Sequence, residues 1–305
     1  MNDTAFLRVF EREVALPDGY IHEQTQRLIG FGERYGRLRR DLQLLLARDQ
    51  IEQWSRAQYK RIVPLVRVAQ DRYPLVIFHG DVGTGKTATA EAMADALARD
   101  LQREGMLFSL STRVRDSGMV GQMSQLINDA FEVVVKEAGK ARLSFIIIDE
   151  ADSLAASRDG DQSHHEDKVA VNTLIQRIDD IRRCNGRVLV FLCTNRFAAL
   201  DPAIMRRAGR IERFDRPNNA QREALLRLEC EGLGLSEDTI RQVVALTGPQ
   251  GASRPLGFTF SDLRTRLLPE ALAQAFPDRR ITADDLVRAA RDLEPSPTLA
   301  NDEGA

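Results

Sequence analysis

The strongest indication of the fold is a stretch of eight consecutive residues, Gly80, Asp81, Val82, Gly83, Thr84, Gly85, Lys86 and Thr87. They match the pattern G-x-x-x-x-G-K-[ST], follow an apolar run at 75–78 and open an alanine-rich helical pattern. Strand, glycine loop and helix in this order form the context of a phosphate-binding loop. Backbone N–H groups then surround phosphate oxygens, Lys86 adds positive charge, and the Thr87 hydroxyl ligates Mg²⁺. The alternative is a chance glycine turn before a helix.

Apolar runs of strand length alternate with helical patterns around this loop. The strand candidates are residues 75–78, 106–110, 145–148, 188–192 and 211–214. Apolar residues at helical spacing fill the intervals between several of these runs. Such alternation predicts an α/β fold, with a parallel five-stranded sheet between helices.

The pattern changes after Pro217, where strand-like runs stop and helical signals continue. Ser236 and Thr282 stand where helix N-caps are expected. We therefore predict a second, smaller and all-helical domain. The predicted organisation is an N-terminal extension (1–20), a large domain (21–216), a small helical domain (217–293) and a flexible tail (294–305).

Composition restricts the class of protein. The 305 residues include 43 Lys and Arg against 45 Asp and Glu, a net charge of −2, so general electrostatics favour neither nucleic acid nor an anionic membrane as partner. Three cysteines without a C-x-x-C pair are typical of a reducing compartment. No signal peptide or apolar span is recognisable in the sequence, so we expect a cytoplasmic protein with no membrane partner.

Two carboxylates follow the apolar run 145–148, at Asp149 and Glu150. Because ligands of open α/β sheets bind at the carboxyl ends of strands, these residues are expected near the glycine loop. Asp149 would hold the magnesium shell, and Glu150 would polarise the attacking water. The glutamate directly after the aspartate indicates hydrolysis as well as nucleotide binding.

Polar residues also follow the run 188–192. Asn195 could hold the attacking water near the γ-phosphate, or it could make an ordinary Asx turn at a strand end. Further on, Arg206, Arg207 and Arg210 could be a solvated basic helix end. Phosphoryl transfer benefits from a mobile arginine, which the loop lacks nearby, so these side chains could instead reach the site of a neighbouring subunit.

Together, the segments GDVGTGKT, FIIIDEADSL, the strand-end TN and DPAIMRRAGRIERFDRP resemble the AAA+ ATPases with the second region of homology. The segments SGMVGQMSQLINDAF, IIIDEADSLAASRD, KVAVNTLIQRIDDI and LRTRLLPEALAQA are similar to the thyroid-receptor-interacting and pachytene-checkpoint ATPases, which remodel HORMA-domain proteins. The AAA+ resemblance covers about residues 20–290.

This resemblance implies ATP and Mg²⁺ as cofactors. The loop 80–87 corresponds to Walker A, with Lys86 and Thr87 as ligands, and Asp149 and Glu150 correspond to Walker B. Asn195 corresponds to sensor 1.

The resemblance also implies a homohexamer, in which Arg207 and Arg210 act in trans as arginine fingers. The Gly-Arg pair of the family at sensor 2 is not reproduced in FSDLRTRLLP, so Arg264 or Arg266 would take that role.

A substrate-gripping pore loop is implied at Met119, Val120 and Gly121, where Met replaces the aromatic residue of the family. A flexible thioether can pack against many sequences. Alternatively, Met119 packs onto the core of the domain. Residues 158–167 correspond by position to a second pore loop.

We expect the segment before the ATPase-like part to be too short for the substrate-binding domain of the eukaryotic relatives. In this the chain resembles short bacterial members found in antiphage operons with HORMA proteins and cyclic-nucleotide synthases, where the ATPase would disassemble their complex and restrain signalling. Two other functions stay open, a nucleic-acid motor or loader and an ATP-dependent scaffold that does not thread its substrate.

Overall fold

The computed structural model describes residues 9–110, 122–153 and 165–298. Six strands form one sheet in the order β1-β3-β4-β5-β2-β6. They are β1 (Phe10–Leu16), β2 (Leu75–Gly80), β3 (Gly105–Leu110), β4 (Leu143–Ile148), β5 (Val188–Thr194) and β6 (Arg210–Phe214). All neighbours pair in parallel except β1 and β3. The predicted α/β fold is confirmed, and each of the five predicted strands is present.

The sheet has six strands and not the five predicted, because β1 adds an antiparallel edge. It pairs with β3 in a register that sets Val14 opposite Leu107. Its sequence FEREVAL has three consecutive charged residues at 11–13, and Phe10 and Leu16 at its two ends are buried. Charged residues are typical of edge strands, which must not pair with other chains. A search for continuous apolar runs therefore misses this strand.

Helices cover both faces of the sheet. They are α1 (Gly19–Gln26), α2 (Phe31–Leu46), α3 (Arg48–Tyr59), α4 (Pro64–Gln70), α5 (Lys86–Asp100), α6 (Gln122–Ala138), α7 (His165–Ile181) and the short α8 (Pro202–Met205). One apolar cluster joins α6 and α7 to one face, and a second joins α2 and α5 to the other. All six residues of β4 are buried between these layers, as in other strands of parallel sheets.

Residues 217–298 form a helical region with a core of its own around Phe258, Leu263 and Leu286. Its elements are α9 (Asn219–Glu229), α10 (Glu237–Thr247), a π-helical segment (Asp262–Leu267), α11 (Leu268–Ala273) and α12 (Ala283–Asp292). The side chain of Ser236 accepts a hydrogen bond from the Thr239 N–H at 3.1 Å, so the predicted N-cap is present. Thr282 is the N-cap residue of α12.

The described part of the chain contains no helix that is both long and apolar enough to cross a membrane.

Candidate functional site

The glycine-rich loop connects the end of β2 to the start of α5. Gly85 precedes α5 with a φ of 90°, a conformation that favours glycine, and no other group lies within 4 Å of the position that a Cβ would take. At Gly85 the loop therefore faces open space, directly at the N-terminus of a helix. Backbone N–H groups and the helix dipole at such a position suit phosphate oxygens.

Lys86 lies inside this loop, with only 6% of its surface exposed. Its Nζ donates to the carbonyl oxygens of Gly80 and Asp81, both at 2.8 Å. Burial lowers the pKa of Lys86, while the nearby charges of Asp149 and Asp81 oppose that shift. The ammonium is therefore held at the loop by neutral acceptors, which a phosphate oxygen can replace.

Thr87 and Asp149, the two predicted Mg²⁺ ligands, meet at one point. The Thr87 Oγ1 donates to Asp149 Oδ2 at 2.5 Å, although 62 positions separate them in sequence. Both offer oxygen atoms, the ligand type that Mg²⁺ prefers. The pair therefore fits a magnesium ion that also binds phosphate.

Glu150 has an unusual backbone conformation. Its φ is +47°, in the left-handed region that residues other than glycine rarely adopt, and its side chain is exposed. Its own N–H donates to Asp149 Oδ1 at 2.9 Å. Backbone strain of this kind occurs at functional sites. The turn thus separates the two carboxylates, with Asp149 bound to Thr87 and Glu150 in solvent.

Asn195 directly follows β5, which lies between β4 and β2 in the sheet. This order places the half-buried Asn195 at the carboxyl ends of the strands, where Lys86 and Asp149 also lie. The turn at this strand end uses the hydroxyl of Thr194, which accepts from the Arg196 N–H at 3.0 Å and donates to Asp152 at 2.9 Å.

The predicted arginine fingers lie at the amino ends of the strands, whereas the loop lies at the carboxyl ends. Arg210 begins β6 and pairs with Val76, whereas Gly80 of the loop pairs with Phe214. Four residues of strand separate these positions, about 13 Å along the strand. Arg207 lies near the Tyr73 ring, before β2, at 5.6 Å. The fold therefore keeps both arginines away from the loop of their own chain.

Ion pairs hold the two arginines in place. Arg207 binds both carboxylate oxygens of Asp179, at 2.7 and 2.9 Å, and this hydrogen bonding raises its pKa. Arg210 pairs with Asp41 at 3.5 Å and with Glu212 at 3.6 Å. Both side chains stay partly exposed, at 23% and 39%, so they can contact a neighbouring molecule.

The two candidates for sensor 2 make different contacts. Arg264 donates to Glu229 at 2.9 Å and to the Arg27 carbonyl at 2.5 Å. Arg266 donates to Asp262 at 3.0 Å. The role of Arg264 at the nucleotide stays a prediction.

Two contacts of the loop were not predicted from the sequence. The Ser261 N–H, in the helical region, donates to the Gly83 carbonyl at 3.1 Å. Arg216 forms an ion pair with Asp81 at 2.6 Å. The sequence signal for the second contact is Asp81, because an acidic residue inside a phosphate-binding loop indicates a basic partner nearby.

A cavity of about 780 Å³ lies between α1, the start of α5 and the helical region. Tyr20, Ile21, Ala88 and Leu268 supply apolar surface, and Glu91 and Arg264 supply charge. Ala88 directly follows Thr87, so the cavity opens next to the first turn of α5.

The predicted pore loop at Met119, Val120 and Gly121 lies outside the described residues, and so do residues 158–164 of the predicted second pore loop.

A parallel sheet that brings a P-loop, a Walker B pair and a polar strand-end residue to one edge defines the P-loop ATPases. The profile of the family described as "ATPase family associated with various cellular activities (AAA)" matches residues 76–216. CD-NTase-associated protein 6 of Escherichia coli strain KTE188 is 47% identical over 294 residues, which are 96% of this chain and 98% of that protein. The chain therefore belongs to the AAA ATPases and, within them, to the family of CD-NTase-associated protein 6.

Two solved structures are similar over nearly the whole chain. One is a chain in the E. coli MS115-1 HORMA:CdnC:Trip13 complex, with a TM-score of 0.87, 38% identity and coverage of 96% of this chain and 98% of that one. The other is Rhizobiales Trip13, with a TM-score of 0.72, 34% identity and coverage of 95% and 100%. As a member of the AAA ATPases, this protein binds nucleotide and hydrolyses ATP.

Proposed function

We propose that this protein is an ATP-driven remodeller of HORMA-domain proteins and that it disassembles their complex with a cyclic-nucleotide synthase. The observation that carries this proposal is the likeness, over 96% of this chain, to a chain of a HORMA:CdnC:Trip13 complex, together with the likeness to Rhizobiales Trip13. Disassembly would restrain a bacterial antiphage signalling system. The buried free thiols of all three cysteines are in keeping with action in the cytoplasm.

In the proposed reaction, the loop 80–87 binds the phosphates of ATP, with the Lys86 ammonium on the outer phosphates. Thr87 and Asp149 would hold Mg²⁺, which supplies charge neutralisation on the phosphate oxygens when bound. Glu150 orients and polarises the attacking water, and Asn195 holds that water near the γ-phosphate. The cavity beside Ala88 would receive the nucleoside, with Arg264 on its wall.

We further propose that the working unit is a homohexamer. Arg207 and Arg210 lie at the amino ends of the strands, and the loop lies at the carboxyl ends. Copies can contact one another head to tail around a closed ring. In such a ring, the surface of one subunit that carries the arginines meets the surface of its neighbour that carries the loop. Each ATP site would then be completed by the arginines of the next subunit.

The first experiment measures the ATPase rate while a purified HORMA-domain protein, alone and in complex with its cyclic-nucleotide synthase, is titrated in. Light scattering in the presence of ATP reports the mass of the assembly. We expect stimulated hydrolysis by a particle of six subunits and release of the synthase from the complex. A hydrolysing ring that is indifferent to the HORMA protein would contradict the proposed substrate, and stimulation by DNA would favour a nucleic-acid motor instead.

Met119→Asp distinguishes threading from scaffolding. If Met119 grips a polypeptide in the pore, a charged side chain there should lower remodelling at least about tenfold while basal ATP hydrolysis continues, because apolar contact with the substrate is lost. Met119→Leu is the matched control and should retain remodelling. Undiminished release of the synthase by Met119→Asp would favour a scaffold that does not thread its substrate.

A further inference from the structure

The phosphate-binding loop contains a carboxylate, at Asp81. The backbone of Asp81 belongs to the wall of the loop, since its carbonyl accepts from Lys86 Nζ and from Thr84 Oγ1, both at 2.8 Å. A negative side chain here would repel a triphosphate at short range, where a partly buried site screens charge poorly. The loop therefore needs a compensating positive charge in addition to Lys86.

Arg216 supplies that charge. Its Nε lies 2.6 Å from Asp81 Oδ2, and the two side chains are only 10% and 23% exposed. Such a pair is poorly screened by solvent, and removal of one partner leaves an uncompensated charge beside the loop. Arg216 lies 135 positions from Asp81 in the sequence, just beyond β6.

The same guanidinium binds two further segments. Its Nη1 donates to the Gly257 carbonyl of the helical region, and its Nη2 donates to the Ser296 carbonyl near the C-terminus, both at 2.8 Å. An arginine can do this because its planar head presents five donors in fixed directions, which a lysine cannot match. One side chain thus joins the loop, the helical region and the C-terminal segment.

A second buried group secures the C-terminal segment. Asp262, only 1% exposed, accepts from the N–H and the hydroxyl of Ser296 at 3.1 and 2.5 Å and from the Thr259 N–H at 2.9 Å. Burial raises the pKa of Asp262, but these hydrogen bonds and Arg266 outweigh burial and keep the pKa below its usual value. Residues 294–298, part of the predicted tail, are therefore joined to the segment whose Ser261 contacts Gly83.

We propose that Arg216 is a positioning residue for nucleotide binding, which neutralises Asp81 in the loop and couples the loop to the docked Ser296 segment. Removal of the Arg216 charge then weakens ATP binding through Asp81, and undocking of the segment weakens it through Arg216. The proposal rests on the nucleotide site and is independent of the HORMA substrate.

A double-mutant cycle tests the charge. Affinity for MgATP and MgADP is measured by calorimetry for Arg216→Gln, Asp81→Asn and the double variant. Arg216→Gln should weaken ATP binding roughly tenfold or more, and ADP binding less, because ADP carries less negative charge. The double variant should recover to within about threefold of the wild-type affinity, because no unpaired carboxylate remains. If the double variant binds ATP as weakly as Arg216→Gln, the charge argument is wrong.

Arg216→Lys distinguishes the effect of the charge from the effect of the other hydrogen bonds. It keeps a cation near Asp81 but cannot also donate to the carbonyls of Gly257 and Ser296. An ATP affinity between those of the wild type and Arg216→Gln supports the proposal, because the charge at Asp81 is kept while the contacts to Gly257 and Ser296 are lost, and a loss equal to that of Arg216→Gln contradicts the charge argument. Lys86→Ala should abolish nucleotide binding independently of Arg216, so a failure of the site assignment itself is recognised separately.

The coupling is tested with Ser296→Ala, which removes the hydroxyl donor to Asp262. Thr298→Ala, at an exposed position two residues further on, is the matched control. Ser296→Ala should weaken ATP binding about threefold and speed amide hydrogen exchange in the loop, and Thr298→Ala should change neither. Equal affinity and equal exchange in both variants would overturn the coupling.

Discussion

Glu150→Gln is expected to reduce the turnover of ATP by about 100-fold or more, because a general base contributes roughly that factor to proton transfer. ATP affinity should not fall, since the phosphate-binding groups Lys86 and Thr87 are unchanged and a negative charge near the γ-phosphate is removed. The exposed, left-handed turn at Glu150 keeps its carboxylate away from the Thr87–Asp149 contact, so the substitution should leave the magnesium ligands in place.

The measurement is single-turnover hydrolysis together with equilibrium ATP binding. Glu104→Gln is a suitable control because Glu104 is exposed and precedes β3, at the far edge of the sheet from the loop. We expect Glu150→Gln to hold both ATP and protein substrate without turnover. Normal turnover by this variant would mean that Glu150 is not the base and that another group activates the water.

The sequence pattern reveals the strand ends at which the candidate site lies, but it misses one strand of the sheet. Buried parallel strands are continuous apolar runs, and three of the functional positions follow such runs closely, so the sequence alone assigns Lys86, Asp149 and Asn195 to one edge. The edge strand β1 has a different pattern, because its charged residues face solvent and only one sheet neighbour constrains it. It is recognisable as a strand only through its pairing with β3.

Contacts between distant segments were not predictable. Arg216 and Asp81 are far apart in the sequence, and so are Arg264 and Glu229, which are joined by an ion pair at 2.9 Å. Local periodicity assigns a residue to a helix or strand, but side-chain pairing between such segments depends on how they pack. The position of Arg264 against Glu229 and Arg27 is therefore a property of the packed fold, which no local pattern reveals.

The topology of the sheet supports the proposed action of Arg207 and Arg210 in trans. In the sequence, Arg207 and Arg210 follow Asn195 closely. In the fold, the chain returns from the carboxyl end of β5 to the amino end of β6 before these arginines. Parallel pairing requires this return, so nearness in sequence becomes separation in space.

Arg207→Ala combined with Arg210→Ala should therefore lower ATP turnover about 1,000-fold, the scale at which arginine fingers act, while ATP binding to the loop persists. Asp179→Asn is a matched control, since it removes the carboxylate partner of Arg207 and leaves the guanidinium itself. It should retain turnover within about threefold, because a partly exposed ion pair contributes little to stability and the guanidinium stays in place to act on a neighbour. Full activity of the double arginine variant would contradict the trans mechanism.

Mixing two inactive variants tests the ring most directly. The double arginine variant has an intact Glu150, and Glu150→Gln has intact arginines, so a site formed between them combines one working half from each chain. Random mixing of equal amounts should restore about a quarter of the sites, because each shared site then has an even chance of the right subunit on either side. Sites contained within single subunits would regain nothing, since each chain lacks one essential group. Recovered turnover that appears only after subunit exchange would thus establish that Arg207 and Arg210 complete the ATP site of a neighbour.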